Sequence, residues 1–220
     1  MVTPRMADEE RSNAMTQREP LLNRVLLEQL RPTQITVGFR EVSEKRRRWR
    51  QNLGAEQDAF LGRHMVPVVL GPKDRHYLTD HHHLCRALLN EGVKEVLVEV
   101  IADLRSLSKD ALWVFLDNRG WCHPYDSDGW RRDFADIPKS LAELTDDPYR
   151  SLAGELRRAG GFAKETVPFS EFIWADYLRR RIPEKLIDKD FPSALGQALA
   201  LSKEPVANFL PGWCGPDPAD

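Results

Sequence analysis

Apolar residues follow a period of two, or run together, at four places in the first half of the chain. KEVLVEVIADL (94–104) is dense in valine and flanked by charge, which makes it the strongest strand signal in the sequence. MVPVVLG (65–71) is a short apolar run ended by Gly71-Pro72, and HYLT (76–79) reads as a brief strand after it. QITVGF (34–39) alternates around the β-branched Val37 and predicts a further strand. Ahead of it, LLNRVLLEQL (21–30) reads as a short helix or an arm, stopped by Pro32.

The helical period enters at Ser43, with Trp49 and Leu53 four apart and Phe60 seven further on. Asp80 stands as an N-cap for a helix running to about Asn90, with Leu84, Ala87 and Leu88 on one face and Gly92 as its stop. Strand, helix, strand, strand, helix, strand makes an α/β first half whose sheet needs cover on both faces. The second half reads as helices. Ser108 caps a segment with Leu112, Phe115 and Leu116 on one side. HPYDSDGW (123–130) is a turn-rich loop. Asp147 caps and Pro148 opens the next helix, whose stripe is Leu152 and Leu156 and whose stop is Gly160. Ser170 caps another helix that ends before Pro183, and SALGQALALSK (193–203) is the last. The expected organisation is a disordered lead (1–20), an α/β core (21–107), a helical subdomain packed on it (108–203) and a tail (204–220).

Composition narrows the classes without choosing one. Of 220 residues, 41% are apolar and 30% charged, with a formal net charge of -2, as in an ordinary soluble globular protein. No global charge bias points to nucleic acid or an anionic membrane, and no apolar window is long enough to span a bilayer. The polar N-terminal stretch does not read as a secretory signal. Cys85, Cys122 and Cys214 are too far apart for a CxxC zinc pattern or a disulfide framework, so reduced cysteines in the cytoplasm are expected.

The chemistry concentrates in TDHHHL (79–84). Three consecutive helical histidines fan over about 200°, so a single ion cannot collect them all. Zinc would want a partner four residues on, but Cys85, Arg86 and Ala87 stand there. Asp80 with His83 is the only helical pairing, and other ligands would have to come from His64, His76 or His123. A phosphate uses a different resource, the unpaired N–H groups and positive dipole end of the helix behind Asp80. Asp80 would then be a general base or an Mg²⁺ ligand, and His82 or His83 a donor to phosphate oxygen. The plain alternative is that Asp80 only caps a helix.

Other features carry the same ambiguity. KRRRWR (45–50) is a solvated basic helix or a nucleic-acid contact, with Trp49 as its core anchor. Glu41 and Lys45 form an i, i+4 pair. Asp126 and its neighbours make Asx-type turns more readily than a calcium loop. Arg150 could clamp a phosphate or pair with an acid, Lys164 is a candidate cleft cation, and Cys85 belongs in the core.

Taken in order, PTQ before a strand, EV with Lys45 downstream, VPVVL, and Tyr77 and Asp80 ahead of the His82-His83 pair resemble the ParB/sulfiredoxin superfamily. WCHPYDSDG (121–129) and DDPYRSLAGELRRAGGFAK (146–164) are similar to its ParB-like putative nuclease family, and the resemblance spans about 31–182. It implies an α/β (α+β) fold, a small mixed sheet with flanking helices plus a helical C-terminal subdomain. It also implies nucleotide or phosphate binding, with phosphoryl transfer or phosphodiester hydrolysis at the Asp80 helix. Asp80, His82 and His83 would be catalytic. Thr79, His81, Glu41, Lys45, Arg150 and Lys164 would bind the ligand, with Asp80 on Mg²⁺ and ATP, ADP or CTP as the nucleotide. The alternative is a non-enzymatic DNA-associated or partition-type module, or a protein-interaction module with a degenerate site. Related sequences carry Gly where this chain has His81, and a side chain there narrows the room for phosphate.

Overall fold

The computed structural model describes residues 23–52 and 54–216, so the lead read as disordered and Leu53 lie outside the described residues. The main sheet has four strands: β1 (Asn23–Leu26), β3 (Val66–Gly71), β4 (Arg75–Leu78) and β5 (Glu95–Asp103). Their order is β1-β5-β3-β4, with β1 and β4 at the edges. β5 pairs antiparallel with β1 and parallel with β3, and β3 pairs antiparallel with β4. The sheet is therefore mixed, as expected. A two-residue strand, β2 (Thr36–Val37), leaves the main sheet and pairs in parallel with β6 (Thr145–Asp146), joining the two halves of the chain.

Eight α-helices occur among the described residues: α1 (Phe39–Gln51), α2 (Ala55–Arg63), α3 (His82–Asn90), α4 (Lys109–Asn118), α5 (Pro148–Arg158), α6 (Ser170–Arg179), α7 (Glu184–Lys189) and α8 (Phe191–Lys203). None is long and apolar enough to cross a membrane. Alternation along β3 explains the layering. Val66 and Val68 join Trp49, Leu84, Leu88 and Val98 in one core, while Val69 faces Leu112, Trp113 and Leu116 of α4 in another. Both sheet faces are covered, and α4 belongs with the sheet it covers. A third core holds α5 to α8 around the fully buried Trp174, whose Nε1 donates to Pro211 O at 2.8 Å. Residues 205–213, read above as tail, contribute Ala207 and Leu210 to that core.

Several local expectations need correction. LLNRVLLEQL holds a strand rather than a helix, because Val25 and Leu27 bury against β5 while a 3-10 turn follows. The strand expected over 34–39 is only β2, and α1 begins at Phe39 instead of Ser43. The basic helix stops at Asn52, so Phe60 sits on a separate helix but still meets Trp49 edge-on at 5.8 Å. Phe115 is partly exposed and lies off the α4 core face. Ser170 is the first residue of α6, not its cap; its hydroxyl donates to Val167 O, and Phe169 takes the cap position with φ 59°.

Gly38 lies where the two halves approach each other closely. A Cβ placed there would lie 2.5 Å from Ser151 Oγ and 2.9 Å from Ser151 N in the first turns of α5. Backbone cannot step aside as a flexible side chain can. Gly38→Ala is expected to lower stability by about 1–3 kcal/mol, read as a lower urea midpoint at unchanged slope.

Candidate functional site

The turn from β4 into α3 sets the geometry. His81 occupies the cap position with φ 66° and ψ 20°, in the left-handed region, and makes no side-chain cap bond. Asp80 is therefore one residue outside the helix. Its side chain is 79% exposed, and Oδ1 accepts only from the His81 N–H at 2.6 Å. The expected capping role passes to no side chain, which leaves the first-turn N–H groups of α3 without intrahelical acceptors.

Both following histidines turn inward. His82 Nε2 accepts from Thr33 N–H at 3.1 Å, and His83 Nε2 accepts from Gly38 N–H at 2.9 Å. An acceptor nitrogen carries no proton, so this pattern puts the ring proton of each histidine on Nδ1. Burial holds the His82 imidazole well below its ordinary value. Burial and then the Arg150 charge push His83 down to about 3, against the pull of Glu41. Both rings are neutral at physiological pH. Among the described residues, neither Nδ1 has a hydrogen-bond partner.

A second layer gathers around Glu41. Its Oε2 accepts from Arg150 Nη1 at 3.1 Å and lies 3.7 Å from His83 Nε2, while Oε1 is 3.5 Å from Lys45 Nζ. Burial would raise the Glu41 carboxyl, but the surrounding positive groups outweigh it and hold it well below the carboxylate range. Arg150 stands at the start of α5 because Asp147 caps that helix, accepting from Tyr149 N–H and Arg150 N–H. Its side chain is 10% exposed, its guanidinium lies 5.2 Å from the Phe172 ring centroid, and its buried Nε has no partner.

All nine residues singled out in the sequence border two adjoining cavities between α3 and the α5–α6 pair. Glu41, Lys45, Asp80, His81, His83, Arg150 and Lys164 line one of about 390 Å³. Thr79 and His82, with Asp80, His83 and Arg150 again, line a neighbour of about 270 Å³. The basic helix resolves differently: Lys45 pairs with Glu41, Arg47 and Arg48 with Glu44, and Arg46 and Arg50 with Glu91. Sequence reasoning missed Arg157, Glu171, Phe169 and Phe172 on the far wall. Arg157 had a signal, standing seven residues from Arg150 on the same helix face. The aromatic pair had none, because Phe169 acts from an irregular segment.

Among the described residues no three His, Cys, Asp or Glu side chains group to hold a metal ion. Asp80 would offer a Mg²⁺ ion a single carboxylate, so any such ion would need its remaining ligands from elsewhere.

Comparison with known proteins bears on the family and the fold. Residues 23–180 match the model of a family described as "Putative ParB-like nuclease". The crystal structure of protein Atu1540 from Agrobacterium tumefaciens is similar, with 52% sequence identity and a TM-score of 0.83 over 89% of this chain and 99% of that one. No protein of curated function matches.

The buried histidines fix a pH dependence. Between 6.5, the ordinary histidine value, and about 3, the unfolded chain takes up protons that native His83 refuses. Stability is therefore expected to fall as pH drops through that interval, with His82 and His123 contributing in the same direction. His83→Gln keeps an acceptor for Gly38 N–H and has no such proton. Urea midpoints measured from pH 7 to pH 4 should fall less steeply in this variant than in the parent.

Proposed function

The chain belongs to the ParB-like nuclease family, and on that premise we propose that it binds the phosphates of a nucleotide at the start of α3 and performs phosphoryl transfer or phosphodiester hydrolysis there. The observation that carries this reading is the Arg150 guanidinium, nine-tenths buried, with Nε unpaired, bordering both cavities. A desolvated cation with an open donor is costly until an acceptor completes it, and a phosphate oxygen would do so. The first turn of α3 adds its free N–H groups and dipole. Lys45 and Lys164 add charge at the wider end.

Within this reading His82 and His83 are Nδ1–H donors to phosphate oxygen, not proton shuttles, since their Nε2 lone pairs are taken and their rings stay neutral. Asp80 is exposed and held only by its own turn, so its carboxylate is free to take the proton of an attacking water or hydroxyl. As the new phosphorus–oxygen bond forms, the bond to the leaving oxygen breaks, and that oxygen takes a proton from solvent. Mg²⁺ bound beside Asp80 would offset the repulsion between carboxylate and phosphate. A DNA-associated module working through α1 has less support, because each cation of its basic run is already paired with a glutamate.

Thermal unfolding with ATP, ADP or CTP, each with and without Mg²⁺, tests the reading. A nucleotide at a hundred times its dissociation constant should add about 2.7 kcal/mol of stability. Lys164→Ala should shrink that gain, and Asp80→Asn should retain binding while abolishing turnover. No shift with any nucleotide would overturn the proposal.

His81→Gly supplies an independent check. It removes the left-handed strain, worth roughly 1–2 kcal/mol, at the cost of added backbone freedom. Stability should stay unchanged or rise by up to about 1 kcal/mol, and nucleotide affinity should increase as the cavity widens. An unchanged affinity would show that the imidazole does not crowd the ligand.

A further inference from the structure

Beyond Phe172 lies a third cavity, of about 390 Å³, which shares Gly120, Pro168, Phe169 and Phe172 with the second. Its wall is aromatic. The His123 ring packs on Phe172 at 4.0 Å, on Tyr125 at 4.5 Å and on Phe169 at 4.8 Å between centroids. Nothing in the phosphate chemistry above uses these rings.

The polar groups of this cavity mostly accept. Arg179 is turned to protein acceptors with all three nitrogens, donating from Nε to Ser127 O, from Nη1 to Asp176 and from Nη2 to Asp147. Asp117 keeps spare capacity, since its partners are Arg131 and a long 3.8 Å contact from the Cys122 thiol. The His123 ring nitrogens have no hydrogen-bond partner among the described residues. Burial, then the charges of Arg150 and Arg179, push that imidazole down to about 3, so it is neutral and offers one acceptor and one donor. Flat apolar walls with a few convergent acceptors suit a planar ring bearing N–H groups on its edge.

We infer that this third cavity seats the base of the nucleotide, and that its acceptors select bases with an exocyclic amino group, adenine and cytosine among them, over uracil. The geometry follows from the order of the cavities: cations and the α3 N terminus at one end, stacking rings at the other, and Phe172 and Phe169 between. The inference rests on the phosphate reading and adds the ligand's other half. Phe169 is a wall residue that glycine can replace without backbone strain, because its φ of 59° suits glycine better than phenylalanine.

Isothermal titration of the full chain with ATP, CTP, UTP and inorganic tripolyphosphate separates the possibilities. ATP and CTP should bind about tenfold or more tighter than tripolyphosphate, the scale of stacking one base on an aromatic ring. UTP should fall between them, because its edge presents a carbonyl where the others present an amine. Phe169→Gly should erase most of the difference between ATP and tripolyphosphate. Equal affinity for ATP and tripolyphosphate in the parent chain would overturn the base seat and leave the phosphate reading standing. UTP matching ATP would overturn the amino selection. Binding of none of the four would overturn both readings, and the parent-chain series decides these points even if the glycine variant does not fold.

Discussion

Two backbone N–H groups, those of Thr33 and Gly38, end on the Nε2 atoms of His82 and His83, and the cleft depends on that pair of bonds. They pin the segment that leads into α1 against the first turn of α3, across a sequence gap of 49 residues for one bond and 45 for the other. A buried backbone N–H without an acceptor is expensive, so the imidazoles must stay neutral and keep that nitrogen bare. That requirement fixes the tautomer, and the tautomer decides which ring atom a ligand can meet. Structure and chemistry are set by one constraint.

The next layer follows from where α1 begins. With Gly38 held by His83, Glu41 falls in the first turn of the helix and meets Arg150 across the junction of the two halves. This pair is buried enough that removing one partner would cost roughly 3–5 kcal/mol, mostly as the stranded charge of the other. It need not add net stability over an apolar pair of the same shape. Its consequence is positional: Glu41 pairs with one Nη of Arg150, whose Nε stays buried and unpaired in a side chain that borders both cavities.

Much of this was legible from residue order. β3, β4 and β5 stood out because their apolar runs are bounded by Gly, Pro and charge, and α5 because Asp147 and Pro148 spell its start. β1 was not legible, since four residues with two polar ones carry too little alternation to outweigh the leucines around them. The break between α1 and α2 was obscured by Trp49 and Phe60, whose spacing fits one helix as well as two packed ones. Asp80 misled for a physical reason. It is a strong capping residue one position too early, and the helix starts after a left-handed residue instead. The nine site residues came together although they lie on several elements, yet the aromatic wall escaped because ring stacking between distant segments leaves no period in a sequence.

Four non-glycine residues among those described have positive φ: Lys73, Asp74, His81 and Phe169. The first two form the tight connection between β3 and β4, where left-handed backbone is ordinary turn geometry. The other two border the cleft, one from each half of the chain. Strain of this kind persists only where surrounding packing over-determines it. For Phe169 the packing is visible, with the ring against His123 and its carbonyl accepting from Phe172 N–H and Ile173 N–H. For His81 it is thinner, with a buried Nδ1 that has no hydrogen bond and only a 3.8 Å approach to Asp80. The His81 imidazole, held in a left-handed turn, lines a cavity together with Lys45. The strained position and the Arg150 guanidinium, whose buried Nε has no partner, thus border the same cavity.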